Sequence, residues 1–230
     1  MKLKLSFGYI IAFLLLTLAM LELHETVHII TGRIICGDWG SRDFNVWNLC
    51  KDCNEHYPNS WLATLTGPFF SFIMMWVGMG LLYAINDNYK AAGFALVFAN
   101  IPFGRISQVM MGSGDEMIVT KALLKDSLTH NQLILTGSCI LLLLGVPPIV
   151  KAYLTLKNKM AWLYLLGFLT LPLVFILTYV LTALNGLLNK GFLANAWIMG
   201  TPLLITLHTF IAPVLLACFY KNLLPAARNK

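Results

Sequence analysis

The stretch Leu14-Leu15-Leu16-Thr17-Leu18-Ala19-Met20-Leu21-Glu22-Leu23-His24-Glu25-Thr26-Val27-His28 decides what kind of protein this is. Its first half is apolar on every helical face. Together with Leu5–Phe13 it exceeds the roughly 20 residues that a helix needs to cross a hydrocarbon core of about 30 Å. Its second half sets two histidines and two carboxylates at membrane depth. Such groups cost several kcal/mol in total against lipid, and they normally face a bundle interior where they find partners. Lys2 and Lys4 followed by an apolar run also resemble a signal peptide. No small-residue cleavage site interrupts the helix before Leu21–Ile35, however, so the segment is expected to be retained.

Working outward, 58% of the 230 residues are hydrophobic and 11% charged. An ordinary soluble domain has about 25% charged residues, so a water-soluble fold is excluded. The pattern predicts an all-α, polytopic transmembrane bundle of about six spans, an integral multi-pass membrane protein surrounded by lipid. The spans fall at Leu5–Thr31, Trp61–Ile85, Ala91–Met111, Leu133–Val150, Met160–Leu188 and Phe192–Tyr220. Gly32 reads as the first helix stop. Asn100, Pro102 and Arg105 break the third span, because irregular backbone at that depth survives only where protein or a wet cavity satisfies it. Met117–Gln132 reads as an interfacial helix.

The net charge of +6 is spread over termini and short loops. It therefore reads as a topology signal, with no nucleic-acid partner. Lys2, Lys4, Lys90, Lys151, Lys157, Lys159, Lys221, Arg228 and Lys230 fall on one side. Arg33, Arg42, Lys51, Lys121, Lys125 and Lys190 fall on the other, a small bias toward a cytoplasmic N-terminus that leaves sidedness open.

His24-Glu25-Thr26-Val27-His28 is a His-Glu-x-x-His sequence within a helix. Residues four apart share a face, so both imidazoles can meet one Zn²⁺ while Glu25 stands ready to take a proton from a metal-bound water. Catalytic zinc usually has three protein ligands, so a third is required from elsewhere in the chain.

Three segments in order resemble the site-2 protease family of intramembrane zinc metalloproteases, the M50 peptidases. They are His24-Glu25-Thr26-Val27-His28, then Gly67-Pro68 in the next span, then Asn100-Ile101-Pro102 leading to Gly114-Asp115. The resemblance implies a three-helix catalytic core over residues 1–117, with spans one to three and the loop 36–60. Residues 118–230 then hold the interfacial helix and three further spans. It implies Asp115 as the remaining zinc ligand, with Glu116 as a rival. It implies Glu25 as catalytic base, Asn100 as a residue that holds substrate or oxyanion, and a transmembrane or membrane-anchored protein as substrate. This chain departs from the family pattern at Val27, Ser71 and Glu116. A catalytically silent relative acting as scaffold, and a divalent-metal transporter or sensor, are the rival functions.

A substrate helix must be unwound before it is cut, and the loop Cys36–Asn59 is the expected strand edge or lid, with a short strand around Phe44-Asn45-Val46-Trp47. Cys36, Cys50, Cys53 and His56 in that loop could form a disulfide, bind a second metal or stay free. Glu22 is read either as a partner of a ligand histidine or as a neutral acid against a neighbouring helix. Arg105 is expected to pair with an acidic residue, and His208 to be a hydrogen-bonded structural histidine.

Overall fold

A computed structural model describes residues 1–224. Arg228 and Lys230 of the charge count lie outside the described residues. Helix α1 (Phe7–Cys36) starts where the Ser6 hydroxyl accepts from Tyr9 N, and it ends at Gly37, whose φ of 77° is the left-handed conformation of a glycine cap. The expected stop at Gly32 is not one. Gly32 stays helical, and its bare Cα leaves room for Leu49 and Trp47 to pack against it.

The loop after α1 folds into an antiparallel hairpin, β1 (Ser41–Arg42) and β2 (Trp47–Asn48), followed by a one-turn helix, α2 (Cys53–His56). A Cys36–Cys53 disulfide ties α2 to the end of α1 and leaves Cys50 free. The strand expected around Phe44–Trp47 is thus a hairpin with Phe44 at its turn.

Helix α3 (Trp61–Leu81) runs back along α1. The third span is broken as its sequence foretold, into α4 (Asp87–Ala99), α5 (Pro102–Met110) and α6 (Asp115–Leu124). Pro102 disfavours helix at the residue before it, and Ile101 takes a φ of 53°, strained for a β-branched side chain. Arg105 Nε donates to the Asn100 carbonyl that the break sets free, at 3.1 Å. The expected helix over Met117–Gln132 is shorter and begins earlier, and it packs on α3 and α7 with Met117 fully buried.

Helix α7 (His130–Thr155) is followed by α8 (Ala161–Phe175), which passes without a break into a π-helical stretch, Ile176–Leu184, and a last turn, α9 (Asn185–Asn189). The final span starts at Leu203, as α10 (Leu203–Phe219), not at Phe192. Gly191, Leu193, Met199 and Gly200 all have positive φ, which no helix can propagate, and Pro202 ends that excursion. Five helices are long and apolar enough to cross a membrane. Those five are counted among the described residues; the set α4–α6, bent by 48° at its break before α6, passes the same test only when taken together as one broken span.

Two cores matter for the site. One gathers Tyr9, Phe13, Phe94, Phe98 and Phe168 near the N-terminal end of α1. The other joins Leu18, Phe44, Ile176, Val180, Leu184, Ile205 and Ala212, so the hairpin turn is inserted into the C-terminal helices.

Candidate metal centre

His24 and His28 point from one face of α1 toward α3, and both are buried. Their approach depends on Gly67 of α3. A Cβ there would strike His28 Nε2 and His24 Cε1. Pro68 follows within the helix, and Ser71, one turn on, places its hydroxyl 3.1 Å from His24 Nδ1.

The third member comes from the broken span. Gly114 has φ 87° and ψ 166°, a conformation open essentially to glycine alone, and it swings the chain so that Asp115 opens α6. Asp115 Oδ2 lies 3.2 Å from His24 Nε2 and 3.2 Å from His28 Nε2, and the two nitrogens are 3.1 Å apart. The three donor atoms form a nearly equilateral triangle, closed on the histidine side and open beside Asp115, whose side chain is 26% exposed.

Glu116 is turned elsewhere. Its Oε1 accepts from Arg105 Nη1 at 3.3 Å, the acidic partner expected for that arginine. Arg105 Nη2 also reaches Ser71 Oγ and His24 Nδ1, each at 2.9 Å.

The two ligand histidines are held differently. His28 Nδ1 sits 2.7 Å from Ala63 O, so it must donate, which leaves the Nε2 lone pair facing the triangle. Trp47 of β2 stacks on the same ring, centroids 4.7 Å apart and planes 10° from parallel. His24 Nδ1 instead receives the Arg105 donor. Guanidinium has no acceptor, so the His24 proton lies on Nε2 and faces Asp115.

Glu25 is buried, and its Oε2 has no hydrogen-bond partner among the described residues. Asn100 is buried too, but Nδ2 donates to Leu96 O at 2.8 Å within its own helix, and Oδ1 is unpartnered. Its hydrogen bonds do not reach the triangle.

Glu22 is not a partner of a ligand histidine; it does lie against a neighbouring helix, as the other reading expected, but in an ion pair with Arg42 instead of as a neutral acid. It accepts from Arg42 Nη2 (2.5 Å), His208 Nδ1 (2.8 Å) and Thr209 Oγ1 (2.6 Å), joining β1 and α10 to α1. The hydrogen bond makes His208 the structural histidine expected. Arg42, Phe44, Trp47 and Thr209 carried no family motif. Only the strand-like alternation around Trp47 singled out that segment beforehand.

A cleft of about 710 Å³ opens onto Asp115. It is lined by Val46, Trp47 and Asn48 of the hairpin and by Gln108, Ile118 and Lys125. No family model, curated protein or solved structure matches this chain.

Proposed function

We propose that this chain is an intramembrane zinc endopeptidase, cutting a peptide bond in a transmembrane or membrane-anchored protein. The observation that carries the reading is the meeting of His24 Nε2, His28 Nε2 and Asp115 Oδ2 within 3.2 Å, next to a buried carboxylate with a partnerless oxygen. The donor set fits the ion. Bonds of about 2.0–2.1 Å in tetrahedral geometry separate ligand atoms by roughly 3.3 Å, close to the edges of this triangle. Two imidazoles and one carboxylate leave a fourth position open, as in catalytic zinc sites.

Bound there, zinc supplies Lewis acidity and a water acidic enough to be a nucleophile near neutral pH. This chain's own residues do the remaining work. Ala63 O and the Trp47 ring fix the His28 imidazole in orientation and tautomer. Glu25, next to His24 on the helix, takes the proton of the attacking water and returns it to the leaving amine. Burial with an unpartnered oxygen suits Glu25 to that exchange. Asn100 holds substrate or oxyanion only once its amide turns away from Leu96. The substrate helix must unwind to be cut, and β2 gives the freed segment a strand to lie along in the cleft beside Asp115.

The resemblance to site-2 proteases supports the same reading through the same residues. One observation favours a silent relative instead: Arg105 occupies His24 Nδ1, which holds the His24 proton on the ligand nitrogen. Two measurements on detergent-purified protein decide between them, zinc content and hydrolysis of a transmembrane peptide. Wild type should hold about one zinc, lost in His28→Ala and Asp115→Ala, and Glu25→Gln should keep the metal while losing at least about a hundredfold in turnover. Wild type free of zinc would falsify the peptidase; zinc without hydrolysis would leave the silent relative.

A further inference from the structure

At the opposite end of α1 from the metal centre the chain builds a second, basic site. A basin of about 880 Å³ is lined by Lys2, Lys4, Lys90, Lys157 and Lys221, with Asp87 as its one carboxylate among the described residues. Lys90 pairs with Asp87 at 3.6 Å, and among the described residues the other four lysines have no carboxylate partner.

The lysines are placed by structure. Residues 1–4 lie as an extended strap over the α7–α8 turn. Lys157 N donates to Met1 O at 2.8 Å, Leu3 N donates to Asn158 Oδ1, and Asn158 Nδ2 donates back to Leu3 O, both at 2.9 Å. Met1 and Leu3 are buried beneath the strap, so the alternation of an extended chain turns Lys2 and Lys4 outward. The strap, the first turn of α4, the α7–α8 turn and the turn after α10 thus bring lysines from four distant parts of the chain to one rim.

Tyr9 gives an independent observation. It lines this basin, it is 2% exposed, and its hydroxyl has no hydrogen-bond partner among the described residues. A buried hydroxyl left without a partner costs about 1–3 kcal/mol, so a group that accepts from it would be stabilised here.

We infer that the basin binds the phosphate of an anionic phospholipid headgroup from the surrounding leaflet. A phosphodiester brings the negative charge that the unpaired lysines lack and the acceptor oxygen that Tyr9 lacks. Lipid is favoured over a free anion by position. The basin lies where the spans end, and its borders carry bare apolar side chains, Phe7 next to Ser6 and Ile85 just before Asp87, that acyl chains can cover. Basic pockets between transmembrane helices take anionic headgroups by this logic. His24 lies about 22 Å further along α1, so the site is separate from the metal centre.

The test is native mass spectrometry of the full chain, released from micelles that contain equal amounts of phosphatidylglycerol and phosphatidylcholine. Wild type should retain phosphatidylglycerol over phosphatidylcholine by about tenfold. The triple variant Lys2→Gln, Lys157→Gln, Lys221→Gln should lose that preference, while Lys121→Gln with Lys125→Gln, at the other end of the bundle, should keep it. Tyr9→Phe preserves every charge, so it stays decisive even if the triple variant misfolds. Its preference should fall about threefold, the value of one hydrogen bond. Equal retention of the two lipids, or a preference untouched by Tyr9→Phe, overturns the site. Displacement of phosphatidylglycerol by millimolar inorganic phosphate overturns the lipid and leaves a free-anion site.

Discussion

Arg105 Nη2 lies 2.9 Å from His24 Nδ1, so the guanidinium holds the candidate ligand's proton on the nitrogen that faces Asp115. For Nε2 to bind a metal, that proton must move to Nδ1 and Arg105 must withdraw, giving up a charged hydrogen bond of about 1.5–3 kcal/mol. Glu116 already accepts from Nη1 of the same guanidinium, and Ser71 shares Nη2 with His24. The double variant Arg105→Gln, Glu116→Gln removes the competitor without stranding a buried charge. Its zinc affinity, read by competition with a chromophoric chelator, should exceed wild type by about tenfold. Equal or weaker binding would mean that Arg105 does not oppose the metal.

Ser71 is the acceptor that waits for the displaced proton. With Arg105 withdrawn, His24 Nδ1–H has the Ser71 hydroxyl at 3.1 Å to fix its tautomer. Ser71→Ala should therefore weaken zinc by about tenfold or more, as losses behind a ligand histidine generally do. Ser71→Thr, which keeps the hydroxyl, should restore most of it. If alanine and threonine bind alike, the hydroxyl is not an orienting group.

Gly67 offers a sharper test, since only hydrogen stands between α3 and the two imidazoles. Gly67→Ala puts a methyl group against His28 Nε2 and His24 Cε1, and neither ring can retreat within its buried setting. Zinc content should fall below a tenth of wild type, an order-of-magnitude expectation for overpacking at about 1–3 kcal/mol, while helix content by circular dichroism stays unchanged. An alanine variant that binds zinc normally would show that the rings do not depend on this close approach.

These residues differ in how far sequence could reveal them. His24 and His28 were legible because helical spacing alone puts them on one face, and Asn100 with Pro102 because a proline breaks a span wherever it falls. Gly67 carried a family likeness, but its reason, two imidazoles in the space of a Cβ, is a relation between two helices. Glu22 was misread for the same cause. Its partners Arg42, His208 and Thr209 lie up to 187 residues away, and no local pattern announces that meeting. The last span was set too early because composition cannot see the positive φ angles at Gly191, Leu193, Met199 and Gly200.

The three loop cysteines were open to a bridge or a second metal, and the fold pairs Cys36 with Cys53. Peptide mapping of alkylated, unreduced protein should recover a crosslink between the segments carrying Cys36 and Cys53, and Cys50 as the labelled thiol. A Cys50–Cys53 crosslink would instead place the bridge inside the loop and release the end of α1.

Phe44 joins the metal centre to helices that contribute none of its donor atoms. It is fully buried at the hairpin turn among Ile176, Val180, Leu184 and Ile205, with its ring edge-on to His208 at 5.3 Å. Arg42 on Glu22 and Asn45, which accepts from Asn185 Nδ2 at 2.7 Å, fasten the turn on either side. Three residues on, Trp47 stacks on His28. Truncation of a buried phenylalanine costs about 3–5 kcal/mol, and here the loss falls on a short hairpin whose other anchors are few. Phe44→Ala should therefore raise hydrogen exchange across residues 38–50 and increase KM for a peptide substrate, with zinc content and the exchange of α1 and α3 unchanged. Phe168→Ala removes as large a ring from the other core and should leave the hairpin protected. If both variants loosen the hairpin equally, Phe44 reports only general stability. If Phe44→Ala alone loosens it but KM does not move, the hairpin is held by the C-terminal helices yet takes no part in substrate binding.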